Sequence, residues 1–153
     1  MKITDFLTRQ RIIPALGGKE KDAVLKEMAH EFAATDPKLE EADVLQVLSD
    51  REKVSTTAIG EGVAIPHGKL ATVDHIAGLF ARSPEGVDFA SLDGGPTHLF
   101  FVLVAPEDAA ADHLKALARI SRLLKDPAFR SRLMGGQTRE ELFEIIATED
   151  QKL

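Results

Sequence analysis

Apolar positions along this chain recur with helical spacing at both ends and bunch into short unbroken runs between. In residues 19–34, Val24, Leu25, Met28, Phe32 and Ala33 share one side of a helical repeat, while Lys21, Lys26, Glu27 and Glu31 fall opposite. That pattern predicts an amphipathic helix packed on a core. A second helix is predicted from about residue 40 to 51, with Val44, Leu45 and Leu48 as its buried stripe and Arg51 near its C-terminal end. Strands are expected next: a short one over residues 63–65, a mostly apolar one over 75–82, and an unbroken apolar run over 98–104. The last is rich in β-branched and aromatic residues, as a central strand covered on both faces requires, so helices must lie on both sides of the sheet.

Three further helices complete the chain. The first opens near Asp108 and carries His113, Leu117, Ile120 and Leu124 at successive turns. Asp126-Pro127 sets a capping side chain before a proline at the first helical position, and Gly135-Gly136 ends that short helix. Thr138 and Glu141 form a capping box ahead of Leu142, Ile145 and Ile146. Two helices, a block of strands and three helices make an α/β layered fold in one domain spanning residues 1–153. Counting crossovers does not decide between a parallel and a mixed sheet.

The chemistry concentrates in Gly60-Glu61-Gly62-Val63-Ala64-Ile65-Pro66-His67-Gly68-Lys69, where a strand-like run ends in a histidine held between proline and glycine. Proline donates no ladder hydrogen bond and biases Ile65 toward extended backbone, while Gly68 permits a sharp turn or a close approach by another molecule. His67 is therefore expected at a strand end, where an imidazole that is neutral near physiological pH serves as nucleophile or metal ligand. A plain loop histidine is the competing reading.

Taken in order, several segments resemble the enzyme IIA family of the phosphotransferase system, in its fructose/mannitol class and especially its nitrogen-regulatory members. They are Ser55-Thr56-Thr57-Ala58-Ile59-Gly60, the segment from Gly62 to Lys69, Gly86-Val87-Asp88-Phe89 with Leu92-Asp93-Gly94, the run from His98 to Pro106, and the run from His113 to Ile120. The resemblance covers nearly the whole chain and implies a mixed β-sheet sandwiched between helices on both faces. It implies that His67 receives a phosphoryl group from an HPr-like phosphocarrier, with phosphoenolpyruvate and enzyme I upstream. It also implies that His113 is the supporting histidine and that Arg51, in Arg51-Glu52-Lys53, contacts phosphate or the partner. Downstream, it implies regulatory protein targets bearing on nitrogen and potassium metabolism, or a separate IIB component in sugar uptake.

Other residues have blander readings beside these. Arg51 equally suits the negative end of a helix dipole, His113 equally finishes a core stripe, and Ser55 and Thr56 equally mark a turn. Lys69 suits either phosphate attraction or an exposed turn. Glu61 either repels phosphate or orients the imidazole through a hydrogen bond. His30, His75 and His98 have no partner at ligand spacing and read as structural or solvated. Gly60-Glu61-Gly62 lacks the Lys-Ser/Thr helix start that a nucleotide loop needs, and a zinc hydrolase on His67 and His113 would lack further protein ligands.

Composition narrows the rest. The formal charge of -6 and the absence of Tyr and Trp argue against a nucleic-acid face. Zero cysteines exclude thiolate chemistry and fit a reducing compartment. The N-terminus has no apolar signal segment and the longest apolar run is too short to cross a bilayer, so a cytoplasmic protein without direct membrane insertion is expected. Carrier chemistry of this kind requires no metal or organic cofactor. A binding module whose histidine is never phosphorylated is the alternative from another class.

Overall fold

The computed structural model describes residues 1–153. The apolar run expected at the centre of the sheet is β6 (Thr97–Pro106), and it organises both layers. Its alternate side chains Phe100, Val102 and Val104 join one core cluster, while Leu99, Phe101 and Leu103 join a second on the opposite face. The first cluster is completed by α1 (Lys21–Thr35) and α2 (Glu41–Val54). The second is completed by α3 (Ala110–Leu124), α4 (Pro127–Gly135) and α5 (Arg139–Asp150). A strand buried on both sides has no polar face, which is why this one reads as a continuous apolar run.

The sheet is mixed. β5 (Ala77–Val87) runs antiparallel to β6, and β1 (Leu7–Ile13) runs parallel to β5 at one edge. On the other side of β6, β3 (Val63–Ala64) and β4 (His67–Leu70) both pair with it in parallel, and β2 (Ala58–Gly60) lies outside β3. β3 and β4 thus take consecutive lengths of the same neighbour, with Pro66 at the break. Proline has no N–H for the ladder, and its carbonyl instead accepts from the Leu103 amide at 3.0 Å.

Several boundaries differ from the sequence expectation. β1, β2 and β4 were not foreseen: β1 carries Thr8, Arg9 and Gln10 exposed in succession, which breaks strict alternation, β2 has three residues, and β4 begins at the histidine expected to end a strand. α2 runs on past Arg51 to Val54, and α3 opens at Ala110 rather than near Asp108. β5 starts after His75 and continues through Pro84 to Val87, with the register shifting between Arg82 and Val87. The shift lets proline sit in the strand without a missing ladder bond.

At the helix ends, Asp126 accepts from the Ala128 amide with Pro127 at the first helical position, as expected. Thr138 accepts from the Glu141 amide, but the Glu141 carboxylate reaches the Gln137 amide rather than closing the box on Thr138.

Two buried ionic groups tie the layers together. The Arg82 guanidinium, on β5, donates to the carbonyls of Pro14, Leu133, Met134 and Gly136, so one side chain gathers the C-terminal end of α4. Asp150 accepts from Arg119 and from the Ile3 amide, fastening the short 3₁₀ turn at Ile3–Asp5 to the end of α5.

Candidate functional site

His67 opens β4 rather than closing the strand before it, and its Cα pairs with Leu103 of β6. Paired residues point the same way, so His67 and Lys69 face the α3 layer while Gly68, paired with Val104, faces α2. The glycine at 68 is required by packing. A Cβ there would stand 2.8 Å from Val47 Cγ2 and 3.0 Å from Val47 Cβ, so α2 closes directly onto the strand. The close approach at Gly68 is thus made by the chain's own α2 and not, as the sequence had suggested, by another molecule.

The imidazole of His67 is half-buried, and its Nδ1 lies 2.8 Å from the Ile65 carbonyl. A carbonyl only accepts, so Nδ1 carries the proton and Nε2 keeps its lone pair free. This backbone acceptor was not foreseen. The sequence signal for it is Pro66, which turns the Ile65 carbonyl toward the ring of the following residue.

His113 sits in the first turn of α3 with its ring edge-on to that of His67, the centroids 5.4 Å apart and the planes at 80°. It is 5% exposed, and its Nε2 has no hydrogen-bond partner. Burial, followed by the nearby His67 and Lys69, pushes its pKa down to about 4, so the ring is neutral at physiological pH. Near a helix N-terminus, the dipole acts in the same direction.

Both histidines line an open cleft of about 470 Å³ together with Val47, Arg51, Gly68, Lys69, Ala110, Leu114 and Leu117. Arg51 reaches it from the far layer, with Nη1 donating to the Ser55 carbonyl at 2.9 Å. The bond both satisfies a carbonyl at the end of α2 and holds the guanidinium in place, so the helix-end reading and the cleft reading are compatible. No carboxylate lines the cleft, although the chain is net acidic. The arrangement places one nucleophilic ring nitrogen beside a second, buried imidazole and two cations, a set suited to receiving an anionic electrophile.

The remaining candidates lie elsewhere. Glu61 adopts φ 58° in the β2–β3 turn, is largely exposed, and its carboxylate lies 3.6 Å from Arg130, lining a different cleft. It makes no hydrogen bond to His67, whose ring is held by the Ile65 carbonyl instead. Thr56 donates to the Phe89 carbonyl, so it fastens a turn. Ser55 contributes its backbone carbonyl to Arg51. His98 bonds the Ser83 carbonyl, and His30 and His75 pair with Glu41 and Asp74 on the surface. No group of three or more His, Cys, Asp or Glu converges as a metal site would need.

One supporting residue was missed. Glu52 is buried beside Arg51, accepting from the Thr57 amide at 3.0 Å and the Thr57 hydroxyl at 2.5 Å, with Lys21 Nζ at 3.2 Å. It fixes the turn whose Ser55 carbonyl holds Arg51. A charged residue inside Arg-Glu-Lys reads as solvated, and only the folded neighbours reveal otherwise.

Residues 5–149 match the model of the family described as phosphoenolpyruvate-dependent sugar phosphotransferase system, EIIA 2. A nitrogen regulatory protein of Bradyrhizobium diazoefficiens is 47% identical over 147 residues, covering 96% of this chain and 95% of that protein. The fructose-specific EIIABC component of Bacillus subtilis is 39% identical over 151 residues, covering 99% of this chain and 24% of that larger protein. Among solved structures, nitrogen regulatory protein IIA-Ntr from Neisseria meningitidis superimposes with a TM-score of 0.87 at 33% identity, covering 94% of this chain and 98% of that one.

Proposed function

Since the chain belongs to the EIIA type-2 family of phosphotransferase components, we propose that it is a phosphohistidine carrier, accepting a phosphoryl group from an HPr-like phosphocarrier on His67 Nε2. The observation that carries the reading is the state of the His67 ring. Its Nδ1 proton is committed to Ile65, and its free nitrogen lies in a cleft without carboxylates.

In the transfer, the Nε2 lone pair attacks phosphorus and the P–N bond to the donor imidazole breaks, the bonding pair leaving with the donor. The product ring keeps its Nδ1 proton and is cationic. The Ile65 carbonyl disperses that charge, so the Nε2–P bond stays reactive toward the next acceptor. Charge on the phosphoryl oxygens is met by Arg51 and by a ring N–H of His113, whose unpartnered Nε2 gains a partner when the group arrives. Residues 1–153 act as one domain in this role.

The 47% identity to a nitrogen regulatory protein favours a regulatory role in the cytoplasm. Placing a dianion in the cleft changes which downstream proteins dock there, and the outputs bear on nitrogen and potassium metabolism. The identity to the fructose-specific component favours a second reading, in which phosphate passes to a IIB domain for sugar uptake.

Labelled phosphoenolpyruvate with enzyme I and HPr tests the carrier. Acid-labile label is expected on the wild type and none on His67→Ala. An unlabelled wild type refutes the reading and leaves a binding module. Onward transfer of label to a IIB domain distinguishes uptake from regulation.

A further inference from the structure

We propose that Lys69 holds the transferred phosphoryl group, its ammonium pairing with the oxygens of phosphorylated His67; this rests on the carrier reading above. Lys69 is two residues beyond His67 on β4, so both side chains leave the same face of the strand, about 7 Å apart at the backbone. An extended lysine spans that separation and reaches a group attached to Nε2.

Its place in the cleft and the absence of carboxylates around it distinguish Lys69 from an ordinary surface lysine. It lines the His67 cleft, and its charge is close enough to His113 to help hold that ring neutral. Its ammonium makes no ion pair, as is true of Lys2, Lys26, Lys115 and Lys125, but Lys69 alone among these lines the cleft of His67. Its surroundings offer no carboxylate partner, because no Asp or Glu lines the cleft. Arg51 is already engaged with Ser55, so Lys69 is the cation left free to move onto the incoming oxygens.

The division of labour follows from the chemistry of the two cations. A tethered guanidinium supplies a fixed donor, and a flexible ammonium follows the group as it moves from donor to Nε2. Lys69 therefore favours the doubly charged form of the phosphoryl group once it has arrived.

Potassium phosphoramidate, a small donor that needs no partner protein, loads His67 for the test: the Nε2–P bond forms as the phosphoramidate P–N bond breaks and ammonia leaves. Phosphorus NMR then follows the pH midpoint of the phosphoryl resonance in wild type, Lys69→Gln and Lys69→Arg. The midpoint is expected to rise by roughly half a unit to one unit in Lys69→Gln, as removal of a neighbouring cation requires, and to return toward wild type in Lys69→Arg. Loss of folding or packing would not produce that pattern. An unchanged midpoint in Lys69→Gln overturns the assignment while leaving the carrier intact. A wild type that takes no phosphoryl group from either phosphoramidate or HPr overturns both.

Discussion

Replacing Gly68 by alanine sets two physical effects of opposite sign against each other. Gly68 is not among the residues with positive φ, so alanine fits its backbone, and the loss of unfolded-state freedom alone would stabilise by about 0.4–1 kcal/mol. The added Cβ, however, would meet Val47 Cγ2 at 2.8 Å, Val47 Cβ at 3.0 Å and the Val47 carbonyl carbon at 3.3 Å. Ordinary carbon contacts sit near 3.5–4.0 Å, so β4 and α2 must separate by roughly half an ångström to an ångström. Rotating the valine relieves only the first of the three contacts. Overpacking of this kind costs about 1–3 kcal/mol, which outweighs the entropic gain.

The functional consequence follows from helix geometry. Val47 and Arg51 are one turn apart on the same face of α2, so pushing the helix off β4 carries the guanidinium away from His67. Misplacement on the ångström scale reduces transfer by up to about a hundredfold. Urea unfolding and the rate of phosphoryl transfer from phosphorylated HPr are to be measured on Gly68→Ala, Val47→Ala and the double variant. The double variant is expected to be more stable than the sum of the single effects, because removing the valine methyls makes room. Stability of Gly68→Ala at or above wild type, with unchanged transfer, would refute the packing argument.

Other predictions concern single groups. His113→Ala is expected to fold and to transfer phosphate about a hundredfold more slowly, the loss of one positioned donor; stopped-flow transfer at wild-type speed would remove His113 from the mechanism. Because the folded pKa of His113 is about 4 against an unfolded value of 6.5, the unfolded chain binds the extra proton first, and stability falls as pH drops through that window. The contribution lost is up to about 3 kcal/mol, and the slope of stability against pH between about 4 and 6.5 is expected to flatten in His113→Gln. Arg82→Met strands carbonyls at the end of α4 and is expected to cost about 2–4 kcal/mol in urea unfolding; a loss below 0.5 kcal/mol would show that solvent replaces the guanidinium.

Much of the layered architecture was legible because it rests on local signals. The helical stripes, the Asp126-Pro127 and Thr138 caps and the unbroken run of β6 each report one residue's neighbours along the chain, and each appears where periodicity placed it. β1 and β2 escaped because their hydrogen bonds come from distant partners, β5 for the one and β3 for the other, while their own patterns are broken or too short to read. At the site, the setting of His67 pointed to that residue, the family resemblance pointed to His113 and Arg51, Lys69 had two readings, and the fold brings all four to one cleft.

The sequence by itself determined which helices and which central strand build the layers, since those depend on period, and it offered candidate side chains for the chemistry. Only the tertiary structure decided the state of each group. The Ile65 carbonyl leaves Nε2 of His67 free, burial on α3 keeps His113 neutral, Val47 explains the glycine at 68, and Glu61 lies near Arg130 in a different cleft. Protonation, orientation and reach are set by what lies within a few ångströms in space, and those neighbours come from distant parts of the chain.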